Sequence, residues 1–386
     1  MSADTIIVSG YLVRCPLGGY AWQILHYLVG LRQLGFQPYF YEDNRHFWDC
    51  YDPVTRVMTD DPAAGVRFAS DVFDRHGLAA QWAFHDVARD RSFGLSAAER
   101  AAVINDARIV INLAGVNRVP RRSARQRHLY IDLDPAFTQI KAAAGDRALR
   151  ELLSESQLHF TLGENIGQPG CRVPLAGLAW HPTRQPIVLD LWPPLPPDAA
   201  APFTTIGKWD DQGRDLQFKG ETYSWRKRVE WMKFLDLPRR SGERFDVAMN
   251  VQVVPADLDR LTQHGWSVCD PIAVSSDPER YREFIRRSKG EFTVAKDLNV
   301  RLCTGWFSDR SACYLAAGRP VVTQDTGFDR ILPTGAGLFS YRTLDEAADA
   351  VHAIAGDYPR HVRAARQIAV DHFNADVVLR QLLATI

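Results

Sequence analysis

The sequence has 386 residues, of which 46% are hydrophobic and 24% are charged. This length is too great for one ordinary compact core and predicts two domains. The 46 basic and 46 acidic side chains cancel, which argues against nucleic acid as the main partner. No apolar run approaches the ~20 residues of a membrane helix. Because neither a signal peptide nor a metal-type Cys/His spacing is found, we expect a cytoplasmic protein with reduced cysteines and no bound metal.

Short apolar runs alternate with helical stretches along the first half of the chain. A buried strand is predicted at 5–9, an amphipathic helix at 20–35 and a second strand at 37–42. Further strands are predicted at 108–113, 128–133 and 157–162. Strands separated by helices predict βα units and a parallel sheet.

A proline-rich stretch interrupts this pattern at 182–202, where seven prolines occur. Proline lacks a backbone N–H and fixes φ, so the stretch is neither a long helix nor a central strand. It predicts a stiff connection between domains. We therefore expect a first domain at 1–185, a linker at 186–202, a second domain at 203–365, and a C-terminal helix at 366–386 that packs back on the first domain.

The alternation resumes after the linker. Strands are predicted at 203–207, 245–250, 266–269, 291–295, 320–323 and 337–341. Helices are predicted at 224–237, 255–265, 277–290, 344–356 and 359–386. The whole pattern indicates an α/β protein built from two Rossmann-like, parallel-sheet domains.

The stretch 305–328 (GWFSDRSACYLAAGRPVVTQDTGF) has the features of an anion site. Ser308 is predicted to cap a short helix that Asp309 and Arg310 begin. The free N–H groups of a helix start attract anions, usually phosphate, and Arg310 would add a bidentate cation. Gly305 lets the preceding turn approach closely. The alternative is an ordinary capped βα crossover, in which Asp309 would repel a phosphate.

A polar tip follows the strand at 320–323. It lies at the carboxyl end, where open α/β sheets bind ligands. A Gln-Asp pair there can bind sugar hydroxyls, although Asp-Thr-Gly is also a favourable composition for a simple turn. The tip consists of Gln324, Asp325, Thr326 and Gly327.

Residues 292–328 resemble the donor-binding region of GT-B glycosyltransferases, a superfamily that includes the group 1-like bacterial enzymes. Residues 316–322 (AAGRPVV) match its Ala-x-Gly-x-Pro-Val-Val run, and residues 305–308 resemble the Gly-Trp-x-Ser step of plant-type members. The resemblance implies two Rossmann-like domains that face each other across a cleft. It implies a diphosphate site at Gly305, Ser308, Asp309 and Arg310, and a donor sugar site at Gln324, Asp325, Thr326 and Gly327.

Two further matches are weaker. Residues 204–220 resemble the strand and loop whose two basic side chains neutralise the diphosphate in many retaining enzymes, although the loop here is longer. Residues 15–22 resemble the first-domain Gly-Gly loop that approaches the donor. The implied residues are Lys208 and Lys219 for the diphosphate, and Gly18 and Gly19 for the cleft loop.

One feature departs from the family. The paired acids of the retaining enzymes would fall at Gly305 and Cys313, so the stereochemical outcome is not implied. An inverting reaction needs a base on the acceptor hydroxyl. The candidates in the first domain are Glu164, Asp134, Asp43 and His26.

The resemblance thus implies a metal-independent glycosyltransferase without a cofactor. It would move a sugar from a nucleotide-diphospho-sugar to a small-molecule or glycan acceptor. An epimerase or hydrolase acting on the nucleotide-sugar, and a non-catalytic nucleotide-sugar-binding protein, are the alternatives. The sugar, the nucleotide base and the acceptor are not specified by the sequence.

Overall fold

The computed structural model describes residues 4–45 and 49–386. The strands are β1 (Thr5–Ser9), β2 (Gln37–Asp43), β3 (Cys50–Asp52), β4 (Val57–Thr59), β5 (Trp82–Asp86), β6 (Arg91–Gly94), β7 (Ile109–Leu113), β8 (Arg127–Asp132), β9 (Leu158–Thr161), β10 (Trp180–Pro182), β11 (Phe203–Gly207), β12 (Leu216–Phe218), β13 (Glu221–Tyr223), β14 (Phe245–Met249), β15 (Trp266–Cys269), β16 (Gly290–Thr293), β17 (Val321–Gln324) and β18 (Leu338–Tyr341).

The helices cover the faces of the sheets and their connections. They are α1 (Gly18–Gln33), α2 (Ala63–Arg75), α3 (Ala97–Asp106), α4 (Phe137–Ala143), α5 (Arg147–Ser154), α6 (Lys227–Trp231), α7 (Leu237–Ser241), α8 (Pro255–Gln263), α9 (Pro271–Ser275), α10 (Pro278–Arg287), α11 (Asp297–Leu302), α12 (Asp309–Ala316), α13 (Leu344–Gly356), α14 (Tyr358–His372) and α15 (Ala375–Ala384). Among the described helices, none has the length and apolar content that a bilayer crossing requires.

Two separate sheets form the frame of the molecule. The first has eight strands in the order β10-β9-β8-β7-β1-β2-β5-β6, and the second has six in the order β15-β14-β11-β16-β17-β18. Neighbouring strands are parallel throughout, except that β6 runs antiparallel to β5. The predicted α/β architecture of two parallel-sheet domains is confirmed.

Most predicted elements are present, but two predicted helices are broken. The helix predicted at 224–237 consists of α6, a 3-10 turn and α7. The helix predicted at 359–386 ends at His372 and restarts at Ala375. The second break lies where the linker backbone binds: Ile187 N donates to Phe373 O (2.7 Å), and Ile187 O accepts from Ala375 N (2.9 Å).

Helix α1 lies between the first sheet and elements of the second half. A Cβ atom on Gly30 would come within 2.7 Å of Leu379 in α15, so this glycine permits the close approach of the C-terminal helix. A Cβ atom on Gly18 would similarly meet Tyr281 of α10 at 2.7 Å. The two halves are therefore packed against each other along α1, and the carboxyl ends of β11 and β16 are held near the first domain.

Candidate functional site

Helix α12 begins at Asp309, as predicted, but its capping differs from the prediction. The hydroxyl of Ser308 makes no capping bond and instead donates to Asp309 Oδ1 (3.3 Å). The same carboxylate oxygen accepts the N–H of Arg310 (2.8 Å). The predicted side-chain cap by Ser308 is wrong because the neighbouring carboxylate is the stronger acceptor. Ser308 itself is buried beside this turn.

Arg310 is fixed inside the second domain. Its Nε lies 2.5 Å from Oε1 of Glu291, its Nη1 donates to Ile206 O (2.7 Å) and its Nη2 donates to Thr293 Oγ1 (2.9 Å). Burial acts to lower the pKa of Arg310, but the charge of Glu291, its hydrogen bond and the nearby tyrosines together raise the pKa. The guanidinium thus ties α12 to the ends of β11 and β16 through three of its five N–H groups.

Lys227, the first residue of α6, brings another cation to this place. Its Nζ lies 5.7 Å from the ring centroid of Trp306. Burial, together with the charges of Arg310 and Lys296, lowers the pKa of Lys227 to about 7. Among the ion pairs of the described residues, none involves Lys227. Lys227 is thus a half-buried amine that forms no ion pair and lies close to two cations, while the charges of Glu291 and Asp309 act in the opposite direction on its pKa. Such an amine favours the binding of an anion.

Lys296 extends from the segment between β16 and α11 towards the first domain. Its Nζ lies 2.9 Å from Asp134 Oδ1 and 3.1 Å from the ring centroid of Trp225. Burial lowers the pKa of Lys296, and the charge of Asp134 opposes this shift. This ion pair bridges the two domains at the cleft.

The two lysines implied by the resemblance lie in different surroundings. Lys208 directly follows β11; its side chain is 73% exposed and 3.9 Å from Asp211. Burial raises the pKa of the Cys15 thiol to about 11, and the charge of Lys208 acts against this shift, so Lys208 faces the first domain. Lys219 lies at the turn of the β12–β13 hairpin, where its Nζ is 5.2 Å from the ring of Phe218. We call Lys208, Lys227, Lys296 and Arg310 the cationic cluster.

A loop of the first domain lies against the turn that precedes α12. Asn165 N donates to Thr304 O (3.0 Å), and Asn165 Nδ2 donates to Gly327 O (3.0 Å). A Cβ atom on Gly305, whose φ is +75°, would come within 2.8 Å of Asn165. Glycine is therefore needed at this position both for the backbone conformation and for the domain contact.

The predicted sugar-binding tip is held by internal hydrogen bonds. Gln324 accepts from Ala295 N at Oε1 (3.1 Å) and donates from Nε2 to Glu230 Oε2 (2.6 Å). Thr326 Oγ1 donates to Trp306 O (2.7 Å). These bonds attach the tip to α6 and to the turn before α12.

The other two residues of the predicted sugar-binding tip, Asp325 and Gly327, line a cavity. Asp325 Oδ1 accepts from Gly327 N (2.7 Å), and Oδ2 lies 2.7 Å from Nη2 of Arg342. A cavity of about 280 Å³ opens beside them. It is lined by Val300, Cys303, Gln324, Asp325, Gly327, Asp329, Arg330, Tyr341 and Arg342.

The four base candidates differ in their surroundings. Asp134 keeps a 45% exposed side chain at the cleft, next to Lys296. Asp43 is buried, with Oδ2 bound by Tyr41 (2.7 Å) and Oδ1 by the N–H of Arg45 (3.1 Å). Asp134 is thus the more accessible of the two, whereas Asp43 is engaged within the first domain.

Glu164 binds Arg184 through both carboxylate oxygens, at 2.6 and 3.0 Å. Burial raises the pKa of Glu164, and Arg184 lowers it. The guanidinium of Arg184 lies 5.9 Å from the ring of Phe373, so this ion pair joins the first domain to the end of α14. These contacts of Glu164 are those of a residue that holds two parts of the structure together.

His26 is fully buried in α1, and burial lowers its pKa to about 3. Val188 N lies 3.0 Å from its Nδ1, and Trp192 Nε1 lies 2.9 Å from its Nε2. A neutral imidazole has one acceptor nitrogen, so one of these N–H groups is bound at a time. His26 therefore holds the linker, and it does so as a neutral ring.

Gly18 and Gly19 open α1, next to α10. The Cβ positions of the pair lie 2.7 and 3.6 Å from atoms of Tyr281. The Gly-Gly pair therefore brings α1 close to the second domain.

Sequence reasoning missed Lys227 and Lys296. The helix around Lys227 was predicted, but the β12–β13 hairpin that precedes it was not. Without the hairpin, the sequence pattern did not predict that Lys227 would lie near the cleft. Lys296 lies within the stretch that resembles a donor site, but a lysine at the end of a strand carries no local signal. Within residues 4–45 and 49–386, no group of three or more His, Cys, Asp or Glu side chains is placed to hold a metal ion.

Several solved structures are similar to this chain over its full length. An alpha-glucosyltransferase in complex with UDP and a 13-mer DNA superimposes with a TM-score of 0.61 at 11% identity, covering 100% of this chain and 99% of that one. The chain has the GT-B fold. HepE from Anabaena, in complex with UDP and glucose, gives 0.57 at 10% identity with 99% of each chain covered. Sucrose-phosphate synthase from Thermosynechococcus elongatus gives 0.53 at 11% identity, with 99% and 100% covered. No family model matches the sequence, and a search of curated proteins gave no match.

Proposed function

We propose that the chain is a cytoplasmic glycosyltransferase that uses a nucleotide-diphospho-sugar and no metal ion. The diphosphate would bind between the start of α12 and the cationic cluster. The observation that supports this most strongly is Lys227, a half-buried amine that forms no ion pair among the described residues and has a pKa lowered to about 7. The similar structures are glycosyltransferases, several of which are complexes with UDP, and we therefore propose UDP as the nucleotide.

The proposed chemistry needs fixed positive charge at the leaving group. As the bond between the sugar and the diphosphate breaks, negative charge grows on the diphosphate oxygens. Donors that are already oriented towards that charge are each worth about 2.7–4 kcal/mol in comparable sites. Lys227 and Lys208 would supply the direct contacts. Arg310 would contribute its positive charge without contacting the diphosphate directly, because the hydrogen bonds of its guanidinium hold α12 in place.

Asp134 is the acceptor-side base in this proposal. Its carboxylate is bound to Lys296 in the absence of ligand. A bound diphosphate would compete for Lys296 and release the carboxylate. Asp134 would then accept the proton of the acceptor hydroxyl, while that oxygen forms the new bond to the sugar and the diphosphate leaves.

The experiment has a binding stage and a turnover stage. Thermal unfolding is followed with UDP, GDP, ADP and UDP-glucose, because a ligand that binds the folded state raises the Tm by mass action. We expect a shift with UDP that Lys227→Ala strongly reduces at the same UDP concentration. Lys141→Ala is the matched control, because it removes an equal charge from α4, where Lys141 pairs with Asp146 (3.0 Å), and it should retain the shift.

Turnover then separates the alternatives. Release of UDP from UDP-glucose is measured with and without a panel of glycan, small-molecule and duplex DNA acceptors; DNA is included because one similar structure is a DNA complex. Release that depends on an acceptor supports a transferase. Release without an acceptor indicates a hydrolase, and binding without release indicates a non-catalytic protein. No shift with any nucleotide would contradict the proposal.

A further inference from the structure

The connection between β7 and β8 differs from its neighbours. Residues 114–126, which we call the strap, contain no helix or strand. The next connection, between β8 and β9, contains α4 and α5. The strap therefore covers the sheet with irregular backbone where a doubly wound sheet usually places a helix.

The strap and the strand ends that flank it carry many positive charges and no negative ones. Residues 108–131 include six arginines and neither Asp nor Glu, in a chain whose charges cancel overall. The arginines are Arg108, Arg118, Arg121, Arg122, Arg125 and Arg127, and all except the half-buried Arg118 are exposed.

Buried anchors hold the strap on the sheet. Asn117 donates from Nδ2 to Ser9 Oγ (2.9 Å), and Val119 packs in a small apolar cluster with Ile7 and other residues. Gln126 donates from Nε2 to Ile104 O (2.5 Å). Because these inward contacts fix both ends of the strap, the arginines between them are held on the outer face.

Few acidic groups neutralise this face. Arg118 pairs with Glu155 at 2.9 Å, and Arg108 lies 3.8 Å from Asp4. In the described part of the chain, Arg121, Arg122 and Arg125 form no ion pair. Three guanidinium groups within five residues are thus exposed without counter-charges.

We propose that the strap is a docking surface for anionic phospholipid headgroups. Guanidinium groups bind phosphate oxygens well, and each basic residue near an anionic bilayer adds to the attraction. A bilayer is favoured over nucleic acid because the strap has no aromatic ring on which a base would stack. Its amide side chains, Asn117 and Gln126, are engaged internally and are not free to bind base edges. The surface therefore recognises negative charge without reading a sequence.

The test is co-sedimentation of the full chain with vesicles. One set is pure phosphatidylcholine, and the other contains about one third phosphatidylglycerol. We expect binding to the anionic vesicles alone, and we expect it to be lost between about 0.05 M and about 0.5 M salt. The triple variant Arg121→Gln, Arg122→Gln, Arg125→Gln should lower the partition coefficient roughly 100-fold.

A matched control removes the same charge elsewhere. Arg280, Arg360 and Arg363 are exposed residues of the second half, and their triple change to Gln should leave vesicle binding within about twofold of the parent chain. Equal loss in both triple variants would contradict the proposal, because net charge rather than the strap would then be responsible. Binding to duplex DNA without binding to vesicles would also overturn it. Circular dichroism and Tm establish that each variant is folded.

Discussion

Lys227 gives the sharpest prediction, because its ionisation and the proposed ligand are coupled. In the free protein, burial and neighbouring cations lower its pKa from 10.5 to about 7. A diphosphate next to Nζ would favour the charged form and move the pKa back towards the ordinary value. Binding of UDP therefore takes up a proton whenever the pH lies above about 7.

The size of the effect follows from this shift. Above the pKa of the free protein, the affinity for UDP should fall about tenfold for each pH unit, until the pKa of the complex is reached. Between about pH 7.5 and about pH 9.0 the Kd should therefore rise roughly 30-fold.

The assay is isothermal titration calorimetry, which measures the Kd of UDP across this pH range. Two substitutions of Lys227 test whether this side chain causes the pH dependence. Lys227→Arg keeps a charge that does not titrate here, so UDP binding should become nearly independent of pH. Lys227→Ala should weaken binding by about 10- to 100-fold near pH 7, which is the usual worth of a hydrogen bond to a charged group, and should also remove the pH dependence. A wild-type slope equal to that of Lys227→Arg would refute the reasoning.

Three other substitutions give separate tests. Lys227→Met should raise the free energy of unfolding of the protein by roughly 3–5 kcal/mol near pH 7, and by less as the pH approaches about 10.5, because the unfolded chain binds more protons than the folded one between about pH 7 and about pH 10.5; urea unfolding at two pH values measures it, and an unchanged or lower midpoint would contradict the pKa shift. Glu164→Ala should destabilise by about 2–3 kcal/mol by leaving Arg184 without its partner, while turnover per folded molecule stays unchanged; a large loss of kcat would restore Glu164 as a base. Asp134→Asn should lower kcat at least about 100-fold and alter the free energy of unfolding by less than about 1 kcal/mol; a wild-type kcat would exclude Asp134 from the chemistry.

The architecture was predictable because its strands are short apolar runs with clear boundaries. Strands β1, β11 and β15 and helix α13 have the bounds that the sequence predicts. The break between α14 and α15 was not predictable, because it depends on Ile187, a linker residue far away in the chain. Local patterns carry no information about such a contact.

The candidate site was only partly predictable, for a similar reason. The start of α12 has a local signal in residues 305–310, and the structure places it at the cleft. The charges around it come from Lys227 and Lys296, which the fold brings there from separate segments. Arg310 shows the opposite case: its position was predicted, but its pairing with Glu291 depends on the neighbouring strand β16.

A crystal structure of the protein with UDP tests the central claim most directly. The account predicts a phosphate oxygen within hydrogen-bond distance, about 2.7–3.2 Å, of Lys227 Nζ and of an N–H group in the first turn of α12 other than that of Arg310, which Asp309 binds. UDP bound elsewhere, for example in the cavity beside Arg330 and Arg342, would contradict it.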